Sequence, residues 1–230
     1  MTSRFQSSMY AISLLVFAMP ASQAANLFTN PGFESPALGP GGVVAFSNGG
    51  NIGGWSVVGT QVLLIRSDYS ETINGISAFN SQEGLNAVDL TGAGNQGTTS
   101  GVQQSVATTV GQTYALTFFV GRGDDNGNAG QYYTTPSTVD LSLNGGPRIS
   151  YTNSFVSPGA INWRQFSTSF IATLSNTQVS FFNNTTTNNY AGLDAISLTV
   201  VPEPGAVSLL AGVAVTGVGF AMRRLRRAKK

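Results

Sequence analysis

The side chains in this sequence best suited to chemistry are carboxylates and tyrosines. Asp68 and Glu71 lie three residues apart. Asp124 and Asp125 are adjacent in the polar stretch 121–136, which also carries Tyr132 and Tyr133. A carboxylate accepts hydrogen bonds from hydroxyl groups, and a tyrosine ring offers broad amphipathic area with few rotamers to freeze. Together they suit recognition of a hydroxyl-bearing ring, so Tyr69, Tyr132 and Tyr133, with Asp124 and Asp125, are the candidate ligand-binding residues. The run beginning at Asp124 has the composition of a calcium loop but not the twelve-residue spacing or closing glutamate, and reads as an exposed turn. Neighbouring carboxylates on one loop do not make a glycosidase, which needs two carboxyls facing each other across a cleft.

What is missing narrows the chemistry further. The chain has no histidine and no cysteine. That removes histidine-based triads, histidine-ligated zinc, disulfides and thiol nucleophiles. Serine and threonine are plentiful, but residues 25–201 hold no lysine or histidine to activate one. No catalytic residue is assigned, and the expectation is a protein that is not an enzyme. The same span carries four arginines against nine acidic residues, a net charge of −5, while the whole chain is +1 because its last residues are basic. An acidic body offers no footprint for nucleic acid.

The elements that must position these residues read as strands. Apolar residues alternate in 112–121, where Tyr114, Leu116, Phe118 and Val120 share a face and Phe119 points to the other. Val139, Leu141 and Leu143 alternate in the same way before the turn signal Asn144-Gly145-Gly146. Shorter runs at 43–46, 55–58, 62–65, 87–90, 102–106, 148–155, 163–171, 178–182 and 193–200 are separated by glycine, proline and asparagine. Many short strands without intervening helices predict an all-β sandwich spanning 25–200, with Trp55 and Trp163 in its core.

The ends have a different composition. Residues 1–24 read as a secretory signal, with Arg4 ahead of an apolar stretch and small residues before a cut after Ala24. At the other end, residues 205–222 are uncharged, and six basic residues follow them. Eighteen residues would span about 27 Å as a helix, near the thickness of a bilayer core. The expected architecture is thus a sandwich flanked by an N-terminal signal helix and a C-terminal transmembrane helix. The segment 201–230, with Pro202, Glu203 and Pro204 ahead of the apolar run and the basic end, resembles the PEP-CTERM sorting signal. That resemblance implies signal peptidase and an exosortase-type protease as partners. It also implies a precursor in the inner membrane and a final place at the cell surface or in the extracellular matrix.

The body resembles a second family. Asn26 to Glu34, Gly54-Trp55, Ala87-Val88-Asp89-Leu90, Gly101-Val102-Gln103-Gln104, Gly111-Gln112-Thr113-Tyr114 and Gly192-Leu193-Asp194-Ala195-Ile196 follow the order seen in galactose-binding-like jelly rolls, most closely the DUF642 type. This implies a jelly-roll β-sandwich with carbohydrate-binding-module-like character. It also implies that Glu34 and Asp194, in segments where such sandwiches place a structural calcium, meet around one Ca²⁺. The alternative is that each accepts backbone hydrogen bonds. The resulting expectation is a secreted or surface-anchored, non-catalytic protein that associates with extracellular polysaccharide. Alternatives are a structural biofilm-matrix protein acting through protein–protein contacts and, third, a glycoside hydrolase.

Overall fold

The computed structural model describes residues 24–71, 78–124, 133–186 and 189–202. The strands are β1 (Val43–Ser47), β2 (Asn51–Ile52), β3 (Trp55–Val58), β4 (Gln61–Arg66), β5 (Asn86–Asp89) and β6 (Gly101–Ala107). They continue with β7 (Thr113–Arg122), β8 (Ser137–Leu143), β9 (Ile149–Asn153), β10 (Asn162–Ile171), β11 (Asn176–Asn183) and β12 (Ala191–Val200). They form two six-stranded sheets with neighbour orders β1-β4-β5-β12-β7-β10 and β2-β3-β6-β11-β8-β9. Every strand pair is antiparallel. This is a jelly-roll-type sandwich, reached because alternating side chains leave each sheet one apolar face to bury.

The inner faces meet in one core. Tyr114, Leu116, Phe118 and Val120 of β7 are buried in it, as the alternation predicts, together with Val139 and Leu141 of β8. Trp55 is fully buried between Phe28, Phe33 and Phe181, and its indole N–H donates to the Asn30 carbonyl at 3.0 Å. The β8–β9 connection is a tight hairpin with positive φ at both Asn144 and Gly145, and the Gly146 amide closes it on the Leu143 carbonyl.

The sheet containing β12 is unusual in covering its second face over part of its area. All four residues of β5 are buried. Ile65, Phe79, Ile161 and Tyr190 form a smaller apolar cluster there, with Val43, Leu63, Tyr69, Tyr133 and Trp163 packed against it. A bulge in β12 between Asp194 and Ser197 lets Ile196 remain in the main core, so Asp194 can face the other way.

The two flanking helices of the expected architecture are corrected. The described residues contain no helix, and none that is long and apolar enough to cross a membrane. The inner-membrane precursor, the signal peptidase and exosortase partners, and the surface anchoring built on them are corrected with those helices. The stretches on which those expectations fell, 1–23 and 203–230, lie outside the described residues, as do Glu203 and Pro204 of the sorting motif.

Replacing Trp55 with Ala removes the largest fully buried side chain and one of the two donors to the Asn30 carbonyl, leaving it only the Phe33 amide. The expected loss is about 3–5 kcal/mol in unfolding free energy, read as a lower urea midpoint with an unchanged m-value. A loss under about 1 kcal/mol would contradict this account of the core.

Candidate functional site

The covered outer face carries a cavity of about 290 Å³. Its floor is Val43 from β1 with Leu63 and Ile65 from β4; register sets Val43 beside Ile65 and Leu63 beside Asp89 of β5. Tyr69, Glu71 and Phe79 enter from the segment after β4, Tyr133 from the approach to β8, and Asn189 from the approach to β12. The backbone of 92–94 forms a rim with almost no side-chain bulk. Tyr69 packs on Phe79 with ring centroids 5.2 Å apart, and Tyr133 meets Phe79 edge-on at 6.3 Å. The Tyr133 hydroxyl donates to Glu71 Oε2, joining two loops across the cavity. Burial, then the Glu71 carboxylate, push the Tyr133 phenol above its ordinary range, and Tyr69 shifts the same way for the same two causes. Both rings therefore act as neutral donors.

Asp89 closes the inner end. Its Oδ1 accepts the backbone N–H groups of Thr91, at 2.9 Å, and Ala191, at 3.1 Å. The Thr91 hydroxyl lies 2.7 and 2.9 Å from the two carboxyl oxygens and 2.6 Å from the Asn189 carbonyl. That hydroxyl has one proton, and a carbonyl can only accept. With Thr91 donating to Asn189, a proton on Asp89 completes the Asp89–Thr91 contact. With Oδ1 already taking two N–H groups, the proton belongs on Oδ2. Titration points the same way: burial pushes the Asp89 carboxyl up to about 7, against its three hydrogen bonds.

Space beside Asp89 depends on two glycines. Register sets Asp89 beside Gly192, Gly192 beside Gly121, and Gly121 beside Trp163. A Cβ on Gly192 would fall 2.3 Å from the Tyr190 ring, and one on Gly121 would fall 2.8 Å from Trp163. Tyr190 lies in the room they leave, edge-on to Phe79 and to Trp163.

A second pair of carboxylates pins the segment that supplies Phe79. Asp194 Oδ2 accepts the Gln82 and Glu83 amides at 2.8 and 3.0 Å, and Glu34 Oε1 accepts the Leu85 and Asn86 amides, both at 2.9 Å. Asn80 is fixed as well: its side chain bonds the amide and carbonyl of Ile161, and its carbonyl takes the Trp163 indole N–H at 2.7 Å. Asp194 is fully buried, and burial raises its carboxyl to about 7, with the Glu83 charge adding to the rise.

Of the residues singled out in the sequence, Tyr69 and Tyr133 meet at the cavity. Asp124 is half-buried just after β7 and is not among the lining residues. Tyr132 and Asp125 lie outside the described residues. Glu34 and Asp194 are brought to one short segment, 82–86, where each spends an oxygen on two amides. Among the described residues, no group of three or more His, Cys, Asp or Glu side chains is placed to hold a metal ion. Glu71, singled out only as half of a pair with Asp68, lines the cavity while Asp68 does not, and Asp89 and Asn189 were not identified as site residues. A trace of Asp89 is readable in the sequence, because an aspartate two residues before a threonine at a strand end is the pattern of a side-chain-capped turn.

A family model described as HpiC1-like, HpiC1 cyclase, matches residues 25–199, in place of the DUF642 type that the sequence resembles. No curated protein matches the chain. Among solved structures, the chain is similar to TmCBM61, solved with β-1,4-galactotriose, at 16% identity and a TM-score of 0.39, covering 77% of this chain and 100% of that one. It is also similar to the CBM22-1 xylan-binding domain of Paenibacillus barcinonensis Xyn10C, at 13% identity and a TM-score of 0.43, covering 73% and 99%. A third is the Podospora anserina GH26-CBM35 β-(1,4)-mannanase, at 11% identity and a TM-score of 0.40, of which the chain spans 29% while 71% of this chain is covered. At these values the likeness says nothing of ligand or activity.

A carboxyl with a folded pKa near 7 keeps its proton longer than the unfolded chain does, so its contribution is complete below about pH 4 and fades as pH rises to about 7. The limiting slope for one group is about 1.4 kcal/mol per pH unit. Asp89→Asn keeps the geometry, with the amide oxygen accepting both backbone N–H groups and its NH₂ donating to Thr91. The expected outcome is a folded variant whose unfolding free energy falls less steeply than wild type between pH 5 and 7 and exceeds it at pH 8. Parallel pH profiles for the two proteins would contradict the neutral carboxyl.

Proposed function

We propose that this chain, which belongs to the HpiC1-like family, binds one small ring-shaped molecule in the cavity between Tyr69, Phe79 and Tyr133. The neutral Asp89 at its inner end carries the reading: a carboxyl without a cationic neighbour among the lining residues, donating and accepting at the end of an aromatic slot. A ring with an apolar face and a hydrogen-bonding edge fits that arrangement. The face lies on Leu63, Ile65 and Phe79, and the edge meets Asp89, Glu71 and Asn189. A single sugar unit and a small heterocycle both belong to this class. The volume admits one ring, at the low end of small-molecule pockets, rather than a chain crossing a surface. Tyr69 and Tyr133 are the ligand-contacting pair in this reading.

One observation favours a second reading. Ring closure by isomerisation takes up one proton and returns one, and Asp89 is the acid that lines the cavity to exchange it. The family is named for a cyclase. In that reading the cavity holds an unsaturated precursor, and Asp89 protonates it and recovers the proton as the ring closes.

Saturation-transfer NMR against a panel of monosaccharides and a panel of small heterocycles such as indole tests binding. At least one probe should bind, and Tyr69→Ala should weaken it about tenfold, the worth of one aromatic contact. Binding by neither panel, or binding unmoved by Tyr69→Ala, would overturn the reading. An unsaturated open-chain precursor returned with unchanged mass but altered retention would establish the second reading, and an unaltered one would leave the first.

We further propose one structural Ca²⁺ at the Glu34–Asp194 clasp. Asn86 Oδ1 there is a buried acceptor with no donor, and the carboxyls of Glu83 and Asp194 both lie within 3.8 Å of the Cβ direction of Gly32. Hard, partly unsatisfied oxygens are what calcium takes. Calcium chloride should raise the melting temperature over chelator-treated protein, and Asp194→Asn should abolish the rise. Equal melting temperatures with and without chelator would remove the ion.

A further inference from the structure

Glu71 is a carboxylate without a counterion. It lines the cavity with Asp89, and no lysine, arginine or histidine is among the described residues that line it. Residues 25–201 contain four arginines and no lysine or histidine, so few cations exist to answer it. Each arginine is engaged elsewhere. Arg66 pairs with Asp68 at 3.1 Å and donates to the Leu38 carbonyl. The Arg122 guanidinium donates to the Ser154 carbonyl. Arg148 donates to the Thr98 carbonyl and lies 3.7 Å from the centre of the Phe182 ring. Arg164 donates to the Thr152 carbonyl and lies over Phe155 and Phe166. Among the described residues, Arg66–Asp68 is the one ion pair. The half-buried Glu71 carboxylate meets a phenol, not a cation.

Partial burial of an unpaired carboxylate costs free energy that a bound cation returns. The rest of the lining suits that cation. Tyr69, Phe79 and Tyr133 line the same cavity, and the two tyrosines are inclined to Phe79 by 49° and 72°, so the rings do not stack face on face. The face of an aromatic ring attracts a positive charge, more strongly where water is excluded. The Tyr133 hydroxyl, kept protonated by its burial, donates to Glu71 Oε2, which leaves Oε1 to a further donor. Asp89 and Asn189 add hydrogen-bonding groups at the inner end without adding a competing cation.

We infer that the ring bound in this cavity carries a positively charged nitrogen, set against the Glu71 carboxylate and the rings of Tyr69, Phe79 and Tyr133. The inference rests on the reading that the cavity binds one ring, and it names the class: an amino sugar in its ammonium form or a cationic nitrogen heterocycle. Two pairs of probes that differ by one positive charge test it, glucosamine against glucose and N-methylpyridinium against toluene. Each is titrated by saturation-transfer NMR into the full chain at about pH 6, where Asp89 keeps its proton. In at least one pair the cation should bind about tenfold more tightly or better, and the pair that responds tells amino sugar from heterocycle. Glu71→Gln keeps an oxygen to accept the Tyr133 hydroxyl and removes the charge. It should cut the preference to about threefold or less and leave the neutral partner within about twofold. Cation and neutral partner binding alike in both pairs overturns the inference and leaves the ring-binding reading standing. A preference unchanged in Glu71→Gln overturns the part given to Glu71. Binding by none of the four overturns the inference, and the panels of monosaccharides and heterocycles decide the ring-binding reading separately.

Discussion

Thr91 has one hydroxyl proton and two neighbours placed to receive it. The Asn189 carbonyl can only accept, and with the hydroxyl donating to it a proton on the carboxyl of Asp89 completes the contact. The inner end of the cavity depends on that allocation. Burial disfavours the charged form of Asp89, and no cation is among the described residues that line the cavity. A neutral acid needs only its hydrogen bonds, and Asp89 has two from backbone amides and one to the Thr91 hydroxyl. The loop that presents Asn189 and the strand that presents Asp89 are thereby joined through Thr91.

A sheet covered on both sides must hold its cover in place. An antiparallel sheet of a sandwich usually leaves its outer face to water. Here the segment between β4 and β5 lies over that face and delivers Phe79. The described part of the segment has little backbone pairing of its own, so side chains from elsewhere satisfy it. Asp194 and Glu34 take four successive-region amides, and Asn80 anchors to Ile161 and Trp163. The glycines at 121 and 192 complete the arrangement, because any Cβ there would displace the Tyr190 and Trp163 rings that the cover packs against. Away from the cover the same face carries Ser and Thr side chains with Ala115 and the exposed Ile171, and the two halves differ in what the sequence sets on alternate positions of the same three strands.

The sandwich was legible because alternation is local. Each of the runs read as a strand is one, and only the two-residue β2 escaped notice. Phe119 was recognisable as pointing away from the core, and it is half-buried opposite Gln165 and Asp194. The site was legible in part. Tyr69 and Tyr133 stood out as amphipathic rings in long polar stretches. Asp89 did not, because its meaning comes from Asn189 a hundred residues later and from a cover that buries a strand on both sides. Glu34 and Asp194 were conspicuous by position, but their bonds to the amides of 82–86 depend on a meeting of three distant segments that no spacing encodes. The flanking helices were inferred from hydropathy at the ends, where the described structure begins and stops.

The inner end of the cavity rests on a carboxyl that keeps its proton up to about pH 7. Selective ¹³Cγ labelling of aspartate, with the Asp89 resonance assigned by its loss in Asp89→Asn, measures this directly. The account predicts a shift characteristic of a carboxylic acid at pH 6 that moves to the carboxylate value around pH 7. An Asp89 resonance already at the carboxylate value at pH 5 would contradict it.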